Sequence, residues 1–266
     1  MKFTLFYQII LFLFLTIITQ IGGLVFIVSQ IICKKIRRQL FWEKAFIFTV
    51  LYCFTTFIVV PPIALVFGRE RVISNKNLKP ANYWTIILNR NYVKPEVNNL
   101  LSKTSDKIMD LSSNIRIHYL DANFPFIDGF PLFPHLSHND GKKLDLSFIY
   151  KDVKGNQTNL LKSRSGYGIF EGPKENEENF TLQCKNKGFY QYDYAKFFTF
   201  GTINKDLQLS EKHTSKLISL LLENNFLEKI FIEPHLSRRM RITDQRIRFQ
   251  GCHSVRHDDH IHFQIK

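Results

Sequence analysis

The sequence contains no Cys-x-x-Cys pair. Its four cysteines, Cys33, Cys53, Cys184 and Cys252, stand far apart, which argues against a zinc ribbon or a similar structural zinc framework. RNP, zinc-knuckle and helix-turn-helix signatures are also missing, so the strong basic balance does not point to nucleic acid. A formal net charge of +13 instead implies attraction to other anions, such as acidic lipid or a polyanionic cell wall. No internal repeat or low-complexity linker occurs beyond a short echo, Pro134-His135-Leu136-Ser137 and Pro234-His235-Leu236-Ser237. The polar part lacks the regular strand–helix alternation of βαβ units, which leaves α+β as the fold class.

The chain has 26 phenylalanines, and most of its apolar excess lies before residue 68. Phe3 to Ile32 is almost uncharged and Ala45 to Phe67 is a second apolar run, broken by Pro61-Pro62 near its far end. Each exceeds the roughly 20 residues needed to span a bilayer. Lys34-Lys35-Ile36-Arg37-Arg38 lies between them, with Trp42 suited to the interface. A short basic loop is expected on the cytoplasmic side. The sequence therefore predicts a two-helix transmembrane hairpin over 1–68, both ends outside, a juxtamembrane connector over 69–113 and an extracytoplasmic domain over 114–266. The first run is too long for a signal peptide, and no small-x-small cleavage site follows it. Cys33 and Cys53 read as thiols of the apolar part. Cys184 and Cys252 can pair if their part of the chain lies in an oxidising compartment, and stay free otherwise.

Within the polar part, Asn114 to Leu120, Leu144 to Tyr150, Glu228 to Glu233 and His260 to Lys266 read as strands. Glu96 to Leu111 and Ser210 to Asn225 read as helices, the second with Ser210 as N-cap and Leu217, Ile218, Leu221 and Leu222 as its apolar stripe. His235 to Arg248, with five arginines, reads as helix and loop. Lys151 to Lys196 reads as a long loop set over a site. The expected architecture is a small antiparallel sheet with flanking helices carrying a zinc site.

Five of the nine histidines fall in two short stretches, His135 to His138 and His257 to His262. In a strand, residues two apart share a face, so His260 and His262 project together. Upstream, His138 and Asp145 are separated by Gly141, a residue suited to a turn with unusual backbone angles. A loop histidine and a strand aspartate can thus converge, and His262 completes a set of two imidazoles and one carboxylate. Zinc accepts that set and keeps a fourth position open for water. His118, His213, His235 and His253 read as structural or solvated.

The pattern His-x6-Asp followed far downstream by His-x-His resembles the zinc peptidases that group lysostaphin-like, D-Ala-D-Ala and hedgehog-type domains. More narrowly, His135-x-x-His138-x-x-Gly141-x-x-x-Asp145 with His257-x-x-His260-x-His262-Phe263 resembles the penicillin-insensitive murein endopeptidases. The resemblance covers roughly Asn114 to Lys266. It implies zinc held by His138, Asp145 and His262, and His260 assisting catalysis as base or oxyanion stabiliser. It implies accessory places for His135 and His257, and turn or supporting places for Asp258 and Asp259. Arg116 is a further candidate for the oxyanion.

The function so implied is a membrane-anchored, zinc-dependent hydrolase of peptidoglycan cross-link peptides in the inner membrane, its domain on the periplasmic side. The chain departs from the murein enzymes in its membrane anchor, its fewer cysteines and its diverged middle. Two other readings stand beside it: a non-hydrolytic, zinc-stabilised binding or sensor domain, and a membrane protein that handles transition metal. Against the last, the apolar segments carry no histidine or aspartate to line a path.

Overall fold

The computed structural model describes residues 2–38, 40–111 and 114–266; the expected boundary at residue 113 lies outside them. The chain forms two compact units, each assembled from separate segments. One comprises residues 1–72, 84–95 and 122–141, the other residues 73–83, 96–121 and 142–266.

In the first unit the long apolar run does not form a single span. It divides into helix α1 (Lys2–Thr19) and helix α2 (Gly22–Lys35). Gln20 adopts a left-handed conformation at φ 66°. The Thr19 hydroxyl accepts the Gly22 N–H at 2.7 Å and donates to the Leu15 carbonyl. Both glycines are required here. A Cβ on Gly23 would fall 2.0 Å from Thr16 Oγ1 and 2.7 Å from the Phe12 carbonyl, and one on Gly22 would fall 2.6 Å from Thr19 Oγ1. Thus α2 folds back closely on α1, and the expected two-helix hairpin becomes three helices.

The third, α3 (Phe41–Val66), is the one helix among the described residues long and apolar enough to cross a membrane. At about 1.5 Å per residue its 26 residues exceed the hydrocarbon thickness. Pro61 and Pro62 do not end it: a π turn at Thr55–Val59 precedes them, and they stand in the first turn of the helical segment Val60–Val66, where a missing N–H costs least. Ile21, Val25, Val60, Ala64 and Tyr92 form a buried cluster of this unit.

The second unit is mixed α and β. Its main sheet has six strands: β1 (Leu78–Pro80), β2 (Ile117–Tyr119), β3 (Lys143–Ser147), β4 (Leu227–Phe231), β5 (Ile247–Arg248) and β6 (His260–Ile265). They lie in the order β5-β4-β6-β3-β2-β1. The expected antiparallel sheet holds for its centre only: β4, β6, β3 and β2 pair antiparallel, while β5–β4 and β1–β2 are parallel. The apolar run Leu144 to Tyr150 ends as a strand at Ser147, and Tyr150–Lys151 joins a separate three-stranded sheet. Helix α4 (Pro95–Leu111) matches the periodicity of its sequence. Helix α5 (Phe180–Asn186) starts at Asn179, whose side chain accepts the Leu182 N–H at 2.9 Å. Helix α6 (Glu211–Leu222) starts after Ser210, but that hydroxyl bonds the His213 ring at 2.9 Å instead of capping the backbone. Helix α7 (Pro234–Arg239) occupies the start of the arginine-rich stretch.

Cys184 and Cys252 form a disulfide across 68 residues of sequence. It ties α5 to the segment that leads into β6. Closing so long a loop in the unfolded chain corresponds to about 4 kcal/mol in the chain-entropy account. Reduction, or C184A/C252A, is expected to lower the thermal midpoint of the second unit substantially. Melting curves of the full chain with and without reductant measure this, with the double variant showing no further response to reductant.

Candidate metal centre

Strand β6 lies between β3 and β4 and is buried along nearly its whole length. Ile261, Phe263 and Ile265 occupy one side of the pleat, which places His260 and His262 on the other. The register sets His262 directly opposite Asp145 on β3 and His260 opposite Ser147. Facing residues of an antiparallel pair share a face, and His262 Nδ1 lies 2.8 Å from Asp145 Oδ1. Slipping the pairing by one residue would send both histidines to the opposite face.

Asp145 is held on every side. Its N–H donates to the Asp121 carbonyl at 2.9 Å, and its own carbonyl accepts from Leu120 N–H at 2.8 Å. The Tyr167 hydroxyl donates to Oδ2 at 2.7 Å. His260 Nε2 lies 3.7 Å from the same Oδ2, while its Nδ1 lies 2.5 Å from Asp259 Oδ1. The other Asp259 oxygen accepts the Gly168 N–H at 2.6 Å. Asp145 and His260 are fully buried. Desolvation alone would depress the His260 ring, but the charges of Asp259 and Asp145 outweigh it and push the ring up to about 9. Burial, together with Asp145 and Asp121, holds the Tyr167 hydroxyl well above its ordinary value.

The upstream histidines come from the loop 122–141 of the first unit. Arg69, itself buried, fastens this loop: it donates to the Phe124 carbonyl, pairs with Asp128 and reaches the Asn139 carbonyl at 3.3 Å. Gly141 has the left-handed backbone expected of it, φ 79°, with its carbonyl accepting from Lys94 N–H at 2.8 Å. His138 is buried, and its Nδ1 lies 2.7 Å from the Ala122 carbonyl. A carbonyl only accepts, so Nδ1 carries a proton, and in the neutral ring the lone pair falls on Nε2. His135 is half-buried, its ring 5.6 Å from that of His138.

His135, His138 and Asp145 make up a group that could hold a metal ion. His135, an accessory residue by the resemblance, is a member of that group. His262 meets the cluster through Asp145. His257 packs its ring 5.0 Å from His260 and 5.6 Å from His262.

The remaining candidates take supporting or remote places. Asp258 is bound by the Arg256 guanidinium, whose Nε donates at 2.6 Å. Arg116 is exposed, and its backbone N–H donates to Asn159. His118 is half-buried, its ring pushed down to about 4 by burial and then by Arg116. His235 Nε2 lies 2.8 Å from the Glu171 carbonyl, His213 bonds Ser210, and His253 rests on Phe189. Sequence reasoning missed Tyr167 altogether and missed the tie from Asp259 to His260. The signal for Tyr167 was weak but present: Ser163-Arg164-Ser165-Gly166-Tyr167-Gly168 sets one aromatic between two glycines.

Glu233 anchors His257 by accepting its N–H at 3.0 Å, and accepts the Tyr192 hydroxyl at 2.6 Å. Burial first, then Asp258, raises its carboxyl from 4.5 to about 7. A carboxyl raised on folding adds stability that is complete below its unfolded value and disappears as pH rises through the folded one. Between pH 4.5 and 7 the native state therefore loses this contribution. E233Q, which keeps an acceptor for His257, is expected to flatten the fall in stability across that range, measured by urea unfolding at pH 5 and pH 8. No family model and no curated protein matches the chain.

Proposed function

We propose that this chain is a membrane-anchored zinc peptidase that hydrolyses amide bonds in the cross-link peptides of peptidoglycan. One observation carries the reading: the strand register that sets His262 against Asp145 also brings His260, with its proton partner Asp259, to the same carboxylate. Zinc would be held by His138, Asp145 and His262, with His135 beside them. The donor chemistry fits, since His138, with Nδ1 turned to a carbonyl, would ligate through Nε2, and Asp145 supplies a carboxylate. When bound, the metal supplies a Lewis acid and water of lowered pKa.

The chain's own groups do the rest. His260, already protonated at Nε2, would steady the developing oxyanion and give that proton to the leaving amine. Asp259 holds the Nδ1 proton and favours the imidazolium. His257 packs against that ring and, through Glu233, fixes where the strand begins. The net charge of +13 suits an anionic wall polymer. A disulfide at Cys184–Cys252 suits an oxidising compartment outside the membrane, and α3 supplies an anchor. The basic segment between α2 and α3 suits the cytoplasmic side.

The second reading, a zinc-stabilised binding or sensor domain without turnover, is favoured by the burial of the site. His138, Asp145 and His260 are inaccessible to solvent, as in closed structural metal sites. The full chain in detergent, assayed for bound metal by mass spectrometry and for muropeptide release from purified sacculi with and without chelator, separates the two. H138A and D145A are expected to lose the metal, and H260A to keep it while hydrolysis falls at least a hundredfold. Absence of zinc in the wild-type protein overturns both readings. Zinc without chelator-sensitive release overturns the peptidase, as does full hydrolysis by H260A.

A further inference from the structure

The segment Ser163 to Gly168 is built around one side chain. The Ser163 hydroxyl donates to the Tyr167 carbonyl at 2.7 Å and accepts the Gly166 N–H at 3.1 Å, while the Ser165 hydroxyl accepts the Tyr167 N–H at 3.0 Å. Gly166 and Gly168 both have left-handed backbones, φ 90° and 81°. Neither has room for a side chain: a Cβ would lie 2.3 Å from Leu120 Cδ2 at the first and 2.4 Å from the Ala195 carbonyl at the second. Such a turn tolerates little variation, and what it delivers is a buried phenol. The hydroxyl of Tyr167 accepts the Asp121 N–H at 3.0 Å and donates to Asp145 Oδ2 at 2.7 Å. Its ring meets the His260 ring edge-on, 5.0 Å between centroids at 80°. The next residue, Gly168, donates to Asp259, the partner of His260.

We infer that Tyr167 is a positioning residue for the metal centre: it occupies Oδ2 of Asp145, so that the oxygen facing His262, Oδ1, is the one a metal would take, and it fixes the plane of the His260 ring. This rests on the metal-binding reading above. Its logic is that of partners behind a metal ligand, which orient the ligand and commonly change metal affinity by about 10- to 100-fold when removed. The backbone N–H of Asp121 orients the phenol so that its proton is directed at the carboxylate, and the two serines prevent the turn from relaxing.

The test uses the full chain in detergent. Y167F keeps the ring against His260 and removes only the hydroxyl; its zinc affinity, by chelator competition, is expected to fall about 10- to 100-fold. With Co2+ in place of zinc, the visible absorption of Y167F is expected to differ from wild type, because Asp145 gains freedom to ligate through both oxygens. A general loss of packing would not give that signature. S165A, which loosens the turn without touching the hydroxyl, serves if Y167F fails to fold and is expected to weaken zinc by a smaller factor. Wild-type affinity together with an unchanged cobalt spectrum in the folded variant overturns this inference. Failure of the wild-type protein to bind zinc or cobalt overturns the reading beneath it instead.

Discussion

The contact on which the second unit depends is the cross-strand pair of Asp145 and His262 at the centre of the main sheet. A carboxylate with no exposure to water is costly unless its oxygens are engaged. Here one oxygen faces an imidazole nitrogen at 2.8 Å and the other accepts a phenol at 2.7 Å. The requirement fixes much else. It sets the β3–β6 register, it demands a buried tyrosine from a distant turn, and it binds the strand backbone to Asp121 and Leu120. Polar groups in a sheet interior make register unique, since no other alignment satisfies them.

Around this pair the buried acids are each assigned a partner. Asp258 takes Arg256, whose guanidinium also stacks 4.1 Å from the Phe170 ring. Asp259 takes His260 and Gly168. Glu171 takes Lys162, and Glu233 takes Tyr192 and the His257 backbone. These acids act on one another: Asp258 helps raise both Glu233 and Glu171, although burial is the larger cause in each. The disulfide at Cys252 and the bond from Arg256 N–H to the Tyr192 carbonyl hold the approach to β6 in place. The strand thus enters the sheet with its histidines already ordered.

What could be read from the sequence follows from how local the cause is. The alternation His260-Ile261-His262-Phe263 is local, and so is the need for a flexible residue at Gly141; both were legible. Helix α4 was legible because its apolar positions repeat on one face. The break between α1 and α2 was not, because Thr19-Gln20 is a weak polar signal inside a run of apolar residues. The closeness of Gly22 and Gly23 to α1 emerges only in three dimensions. Leu144 to Tyr150 looked like one strand, but Tyr150 pairs with Leu209, far along the chain. Tyr167 and its link to Asp145 span 22 residues, and no periodicity reports such a contact.

Burial of the site acts in two directions. Removing solvent from Asp145, His260 and Asp259 strengthens each attraction among them, because less dielectric screening intervenes. The elevated His260 ring is one result. The same enclosure would sharpen the hold of two imidazoles and a carboxylate on a cation, and it leaves little room for a peptide carbonyl. A structural metal site needs only the first property. A hydrolase needs the first and also a path to His260, whose Nδ1 is already committed to Asp259 and whose Nε2 faces the carboxylate. The chemistry of the residues argues for the peptidase and their enclosure for the structural site, so the decisive property is access to His260, not the identity of the ligands.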